Sequence, residues 1–364
     1  MRAETDAALD GLRGLAVLAV VCFHAGAGWA KGGFLGVSAF FTLSGYLITD
    51  LILSRSHSGS FTLKNFWGAR ARRLFPAMFV MLIALMAWVT VIGPHQDRAF
   101  RSSAISSALY VNNWWQVAHQ VSYFAQFGQP GALNHLWSLA VEEQFYIVWP
   151  LIVAACLKLR TARPLHTVGW AAAGLAAVSI ISTVVTVQHG SDSFSYYGSH
   201  TRAYQLLSGA LLAIAFQRRP TQLLRAAPIV QSLSLAAIVW LAVGLHQFGP
   251  AGRGAMTTVA TVALLGSLEA GVRSRPARLL GQPLLVKLGK ISYGTYLWHY
   301  PIIVVLRRFA EMPPFALAAT TAALATSIAA ASAELLELPI RTARPLDRHP
   351  RRVIITAVGV SAVA

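Results

Sequence analysis

Ten apolar stretches, most of them near twenty residues, run through this chain at 10–28, 34–53, 74–93, 136–156, 168–187, 202–216, 228–247, 255–271, 291–306 and 314–333. A helix rises about 1.5 Å per residue, so about 20 residues match a hydrocarbon core of about 30 Å. Lipid offers the backbone no hydrogen-bond partners, which leaves helices as the structure such runs adopt there. The windows at 10–28, 202–216 and 291–306 are the least cleanly apolar and hold polar residues that need an explanation. Only 12% of the 364 residues are charged, against about 25% in an ordinary soluble domain. These features predict an all-α, polytopic transmembrane helical bundle of about ten spans. One integral-membrane unit covers 1–338, and a basic tail follows over 339–364.

The net charge of +17 would suit a nucleic-acid binder if it formed one exposed patch. The basic residues instead lie in short segments between the apolar runs, which excludes nucleic acid as the expected partner and points to anionic lipid headgroups. With the N-terminus placed in the cytoplasm, the inward segments 1–13, 54–73, 157–167, 217–227, 272–290 and 335 onward hold 23 of the 30 Lys and Arg. That bias supports the orientation; Arg307 and Arg308 fall at an outer end as exceptions. Arg13 interrupts the first run and no cleavage pattern follows, so this run is expected to stay as a membrane helix rather than leave as a signal peptide. Pro339, Pro345 and Pro350 break the tail, and VIITAVGVSAVA at 353–364 is too short to cross a bilayer. It reads as an interfacial anchor or the opening of an eleventh helix. The aromatic NNWWQVAHQVSYFAQF, within the outer connection 94–135, is expected to contain an interfacial helix.

Polar residues inside such runs cost free energy and call for partners or a function. His24 closes RGLAVLAVVCFH, eleven positions after Arg13, which a helix places about 16 Å away. Its imidazole suits either helix packing or a general base in a wet cavity, and Arg13 either anchors at headgroups or holds a phosphate or carboxylate. GGFLGVSAFFTLSGYLIT carries Gly33, Gly36, Ser38, Ser44 and Gly45, which allow close helix contact; Ser44 is also a hydrogen-bond donor candidate. Arg70, Arg72 and Arg73 in FWGARARRLFP satisfy topology, or with Arg13 would hold the phosphates of a donor. In NHLWSLAVEEQFYIVWP, Glu142 and Glu143 project about 100° apart, so at least one faces protein or water, and either would orient His24 or a substrate hydroxyl. Tyr296 and His299 lie in KISYGTYLWHYPI, where Pro301 can leave a backbone acceptor exposed. No metal is expected, because the histidines come from distant segments without a short ligand motif, and Cys22 and Cys156 both lie in apolar runs.

In order along the chain, LDGLRGLAVLAVVCFH, GGFLGVSAFFTLSGYLI, the arginine loop, NHLWSLAVEEQFYIVWP, SHTRAYQLLSGALLA, KISYGTYLWHYPI and ELPIR resemble the membrane-bound acyltransferase-3 family, bacterial proteins that acylate sugars of surface glycans. The resemblance implies residence in a bacterial inner or plasma membrane, an acyl-coenzyme A donor at the inner face and a carbohydrate hydroxyl as acceptor. It implies functional roles for Arg13 and His24, donor contacts at Arg70 and Arg73, and site candidates at Glu142 and Glu143. The family often carries aspartate at the position of Ser38 and glutamate at that of Gln205. In some relatives the chain continues past the tail into an outer esterase-like domain.

The expected activity is O-acylation, with acetyl the expected group and a cell-surface or lipid-linked glycan the acceptor. His24 removes the acceptor proton, Glu142 or Glu143 orients the imidazole, and Ser44 or Tyr296 stabilises the developing oxyanion. Arg13, Arg70, Arg72 and Arg73 hold the donor. A transporter or flippase of a lipid-linked glycan, or a membrane scaffold, are the readings from other classes, since buried polar groups also suit transport.

Overall fold

A computed structural model describes residues 2–91, 98–123, 131–159, 163–190, 192–218, 226–244, 248–270 and 274–343, with 353 and 356. The rest of the tail segment 353–364 and part of the connection 94–135 lie outside the described residues. The described residues are helical apart from turns and short connections, and each of the ten apolar windows contains a helix. These are α1 (Arg2–His24), α2 (Gly36–His57), α3 (Leu63–Val91), α6 (Trp137–Lys158), α7 (Pro164–Gln188), α9 (Ser199–Arg218), α10 (Ala227–Val243), α11 (Pro250–Glu269), α14 (Ser292–Phe309) and α15 (Pro314–Ser332). Shorter helices join them: α4 (Arg98–Ala108), α5 (Asn112–Ala118), α8 (Asp192–Tyr197), α12 (Arg275–Leu280), α13 (Pro283–Lys290) and α16 (Leu338–Thr342). Among the described residues, six stretches are long and apolar enough to cross a membrane: Glu4–His24, Gly33–His57, Leu63–Val91, Asn134–Lys158, Pro164–Gln188 and Pro314–Thr342. Helix α10 is apolar but shorter. Helix α9 misses that standard for a physical reason: it is packed between α2 and α7, and its Thr201, Arg202 and Gln205 are buried against protein.

Close backbone approach holds the central helices together. A Cβ on Gly45 would stand 1.8 Å from the Leu206 carbonyl oxygen, and one on Gly209 would stand 1.9 Å from that of Thr42, so α2 and α9 touch backbone to backbone. In lipid, where apolar side chains gain nothing by leaving solvent, such contact between small residues is what drives helices together. The opposite surface of α7 carries Trp170, Val178, Ile181 and Val185, all exposed, a face suited to acyl chains.

Helix α1 ends at His24 rather than at 28, so the imidazole stands in the last turn instead of deep within the run. Gly26 adopts φ +81°, and the Gly26 and Ala27 amides donate to the Phe23 and Cys22 carbonyls, a Schellman termination that needs glycine at this position. Arg307 Nη2 donates to the free His24 carbonyl at 3.2 Å. A cation at this helix C-terminus complements its exposed carbonyls, which accounts for an arginine at the end where basic residues are few.

Two helix-interior prolines expose acceptors that side chains use. Pro301 has no amide for the Leu297 carbonyl, which accepts instead from His135 Nε2 at 3.0 Å. Pro150 does the same to the Tyr146 carbonyl, taken by Trp67 Nε1 at 3.0 Å. The aromatic stretch after residue 110 forms α5, and it is not merely interfacial. Gln116 donates to the Asn134 carbonyl at 2.7 Å and Asn113 to the Tyr197 carbonyl at 3.0 Å, which ties α5 to the bundle and leads the chain to Tyr123 beside His24.

Candidate functional site

A narrow cleft, with about 700 Å³ of space when the open solvent at its mouth is included, lies among α1, α2, α3, α6 and α14. Arg13, Arg70 and Arg73 lie on its wall with Glu142, Glu143, Ser44 and Tyr296. Arg70 and Arg73 are three residues apart and share a face of α3, whereas Arg72 projects elsewhere and is not on the wall. The Arg70 guanidinium lies 4.4 Å from the centre of the Tyr146 ring. Both adjacent glutamates reach this cavity. Glu142 accepts hydrogen bonds from Ser44 and from Tyr146, so the Ser44 proton is directed at a carboxylate and not into the open space. The cavity ends at Ser138 and Tyr296: the two hydroxyls are 2.6 Å apart, and that of Tyr296 lies 2.9 Å from the His135 carbonyl oxygen.

His24 is beyond this end wall. It is buried among protein groups, and it is not on the cavity surface. The expected carboxylate contact is absent: Glu142 and Glu143 lie in the cavity, and His24 is held by another histidine and a tyrosine. His24 Nδ1 is 2.9 Å from His299 Nε2, and His24 Nε2 is 3.2 Å from the Tyr123 hydroxyl.

The hydrogen bonds assign the protons. His299 Nδ1 lies 2.5 Å from the Tyr296 carbonyl, which can only accept, so this nitrogen carries the proton. Neutral His299 therefore presents a lone pair at Nε2 and accepts from His24 Nδ1–H. That leaves the lone pair of His24 on Nε2, where the Tyr123 hydroxyl donates to it. A partner on one ring nitrogen thus fixes which nitrogen is basic, the role usually taken by a carboxylate or carbonyl.

The sequence pointed to Arg13, Arg70, Arg73, Ser44, Glu142, Glu143 and Tyr296, and these meet in one cavity. His24 is separated from it by the Tyr296–His299 turn, whose hydroxyl faces the cavity while its imidazole faces His24. Tyr123, in a segment read only for its aromatic character, is the contact that sequence reasoning missed; no local pattern marks a residue whose partner is 99 positions away. Among the described residues no group of three His, Cys, Asp or Glu side chains is arranged to hold a metal ion.

The family model described as an acyltransferase domain matches residues 6–333. The chain is similar to the peptidoglycan O-acetyltransferase OatA of Listeria monocytogenes, with 38% identity over 349 residues, 92% of this chain and 55% of that protein. It is also similar to the O-acetyltransferase OatA of Staphylococcus aureus, with 35% identity over 316 residues, 83% of this chain and 51% of that protein. It spans about half the length of these relatives. No solved structure matches it.

Proposed function

The chain belongs to the membrane-bound acyltransferase-3 family, and from that membership we propose that it moves an acetyl group from acetyl-coenzyme A to a hydroxyl of a cell-wall glycan, across a bacterial plasma membrane. In this reading about ten helices cross the bilayer with the N-terminus inside, as the distribution of basic residues supports. Arg13, Arg70 and Arg73 hold the donor phosphates by charge-assisted hydrogen bonds, and the thioester arm enters the cavity toward Tyr296. Glu142 keeps Ser44 and Tyr146 in place on the wall.

The observation that carries the proposal is His24 held with its Nε2 lone pair directed at a hydroxyl. The acceptor hydroxyl replaces that of Tyr123 at Nε2. As its oxygen attacks the thioester carbonyl, Nε2 takes the proton, and Nδ1–H keeps its bond to His299. The attack forms the ester C–O bond and a tetrahedral intermediate; its collapse restores the carbonyl and breaks C–S, and the imidazolium gives its proton to the departing thiolate. The acyl end must pass the Tyr296–His299 turn to reach His24, so a shift of this turn is part of the reaction cycle.

Inverted membrane vesicles containing the chain, supplied with labelled acetyl-coenzyme A, test this directly. Label is expected on glycan hydroxyls with the wild type and is expected to vanish with His24→Ala. A folded His24→Ala protein that transfers at the original rate would overturn the proposal. Movement of a lipid-linked glycan without consumption of donor would favour transport instead.

A further inference from the structure

On the far side of Tyr123 from His24 there is a second cavity, of about 810 Å³, that the transfer chemistry above does not use. It lies between α7, α9 and the start of α11, and Arg202, Tyr196, Tyr204 and Gly249 to Gly252 are on its wall. Arg202 is 5% exposed, yet among the described residues no carboxylate forms an ion pair with its guanidinium. Its Nε donates to the Tyr196 carbonyl at 2.8 Å, and the group lies over the Tyr196 ring at 4.2 Å and the Trp137 ring at 5.6 Å. A buried cation without a counter-ion is costly, and ring faces offset only part of that.

The neighbourhood adds attraction for negative charge. Gly249 caps helix α11 with no side chain, so the amides that follow Pro250, those of Ala251 and Gly252, lie at the cavity with the positive end of the helix dipole. Gln205 is fully buried, and its side-chain Nε2 donates to the Tyr204 hydroxyl at 3.1 Å. A Cβ added to Gly254 would meet Gln205 at 3.2 Å, Arg202 at 3.4 Å and Ser38 at 3.5 Å, so these three polar groups converge on one point of α11. Among the described residues no acidic side chain is on the cavity wall.

The position connects the cavity to the proposed reaction centre. The Tyr196 ring on its wall lies 4.2 Å from the Tyr123 ring, and the Tyr123 hydroxyl contacts His24 Nε2. We propose that this second cavity is the acceptor subsite, and that Arg202 and the α11 N-terminus select a saccharide bearing an anionic group. The inference rests on the acyl-transfer reading for its role, while the binding itself can be measured apart from transfer. The anionic group is either a carboxylate on the sugar or the diphosphate of a lipid carrier, two sources that offer the same charge and acceptor oxygens.

The test uses the purified full chain in phosphatidylcholine nanodiscs at fixed ionic strength, with no acyl donor present. The first probe pair is the N-acetylglucosamine–N-acetylmuramic acid disaccharide and its neutral methylamide; the second is that methylamide on a prenyl diphosphate and on the matching neutral prenol. Binding at least tenfold tighter to the charged member of either pair is expected, and the pair that shows it identifies the source of the charge. Arg202→Gln is expected to abolish the preference. Gly249→Asp provides the second variant: a Cβ there meets nothing within 4 Å, and aspartate at an uncapped helix start favours folding while it places a carboxylate against the anion. Equal binding of charged and neutral probes by the wild type, or a preference that survives in folded Gly249→Asp, would overturn the assignment. If labelled acetyl fails to transfer while the charge preference holds, the transfer reading falls and the anion subsite stands.

Discussion

At the scale of single residues, the proposed chemistry depends on His24 keeping its proton on Nδ1, and His299 is the group that holds it there. His299→Phe preserves the ring and removes the acceptor, so His24 becomes free to turn or to change tautomer. A loss of about 10- to 100-fold in kcat is expected, the size seen when a partner that orients an imidazole is removed. The KM values for donor and acceptor should stay within about threefold, since His299 touches neither in this reading, and His299→Gln, which restores a carbonyl acceptor, should recover part of the rate. A merely structural role would give an equal loss in both variants, tracking the melting temperature. Arg70 and Arg72 make a contrasting pair. Removing a charge-assisted contact costs about 1.5–3 kcal/mol, so Arg70→Ala should raise the KM for acetyl-coenzyme A by at least about tenfold. Arg72→Ala should leave it nearly unchanged, because Arg72 is not on the cavity wall. The sequence grouped Arg70, Arg72 and Arg73 as donor contacts without setting Arg72 apart, and it expected a glutamate rather than His299 beside His24. Arg70 and Arg73 show their shared face by spacing alone, whereas His24 and His299 are 275 positions apart and only the packing of α14 on α1 joins them.

At the scale of helices, the contact of α2 with α9 sets where Ser44, Glu142 and the α9 polar groups stand. Gly209 lets the two backbones meet, and even the smallest side chain there collides with the Thr42 carbonyl oxygen. Gly209→Ala should destabilise by about 1–3 kcal/mol, the range for forcing extra atoms into a packed interior. Gly174, in α7, has nothing within 4 Å of an added Cβ. There, Gly174→Ala should be neutral or stabilise by about 0.4–1 kcal/mol through helix propensity and a less disordered unfolded chain. Thermal unfolding in one detergent compares the two, and equal shifts would argue against a packing origin. The helices themselves were legible as apolar windows, because length and hydropathy are local properties. Their ends were less so: α1 stops at His24 because Gly26 turns left-handed, and α1 also extends back to Arg2, eight residues before the apolar window at 10–28 begins. The small residues of α2 suggested close contact, but only the fold identifies Leu206 and Gly209 as their neighbours.

At the scale of the whole molecule, the two cavities lie toward opposite ends of the bundle: α1 carries Arg13 on the wall of one and, eleven residues later, His24 facing the tyrosines that border the other. A donor confined to the cytoplasm and a glycan confined to the outside can meet only if these ends open to different compartments. In the proposed orientation, which the distribution of Lys and Arg supports, the Arg13 end faces the cytoplasm. Ser60 lies between α2 and α3, and His189 follows α7; both are exposed, and an orientation with the N-terminus inside puts Ser60 inward and His189 outward. Single cysteines at these positions, on a background with Cys22 and Cys156 replaced by alanine, test that assignment with a thiol reagent that cannot cross membranes. Ser60→Cys should react only after permeabilisation, and His189→Cys should react in intact cells. The reverse pattern would place the arginine cavity outside, where no coenzyme A thioester is supplied. Labelling of both positions from one side would mean an even number of crossings between them. Either result would remove the vectorial transfer that the two-ended architecture supports, because α3, α6 and α7 separate these positions and an odd number of crossings puts them on opposite faces.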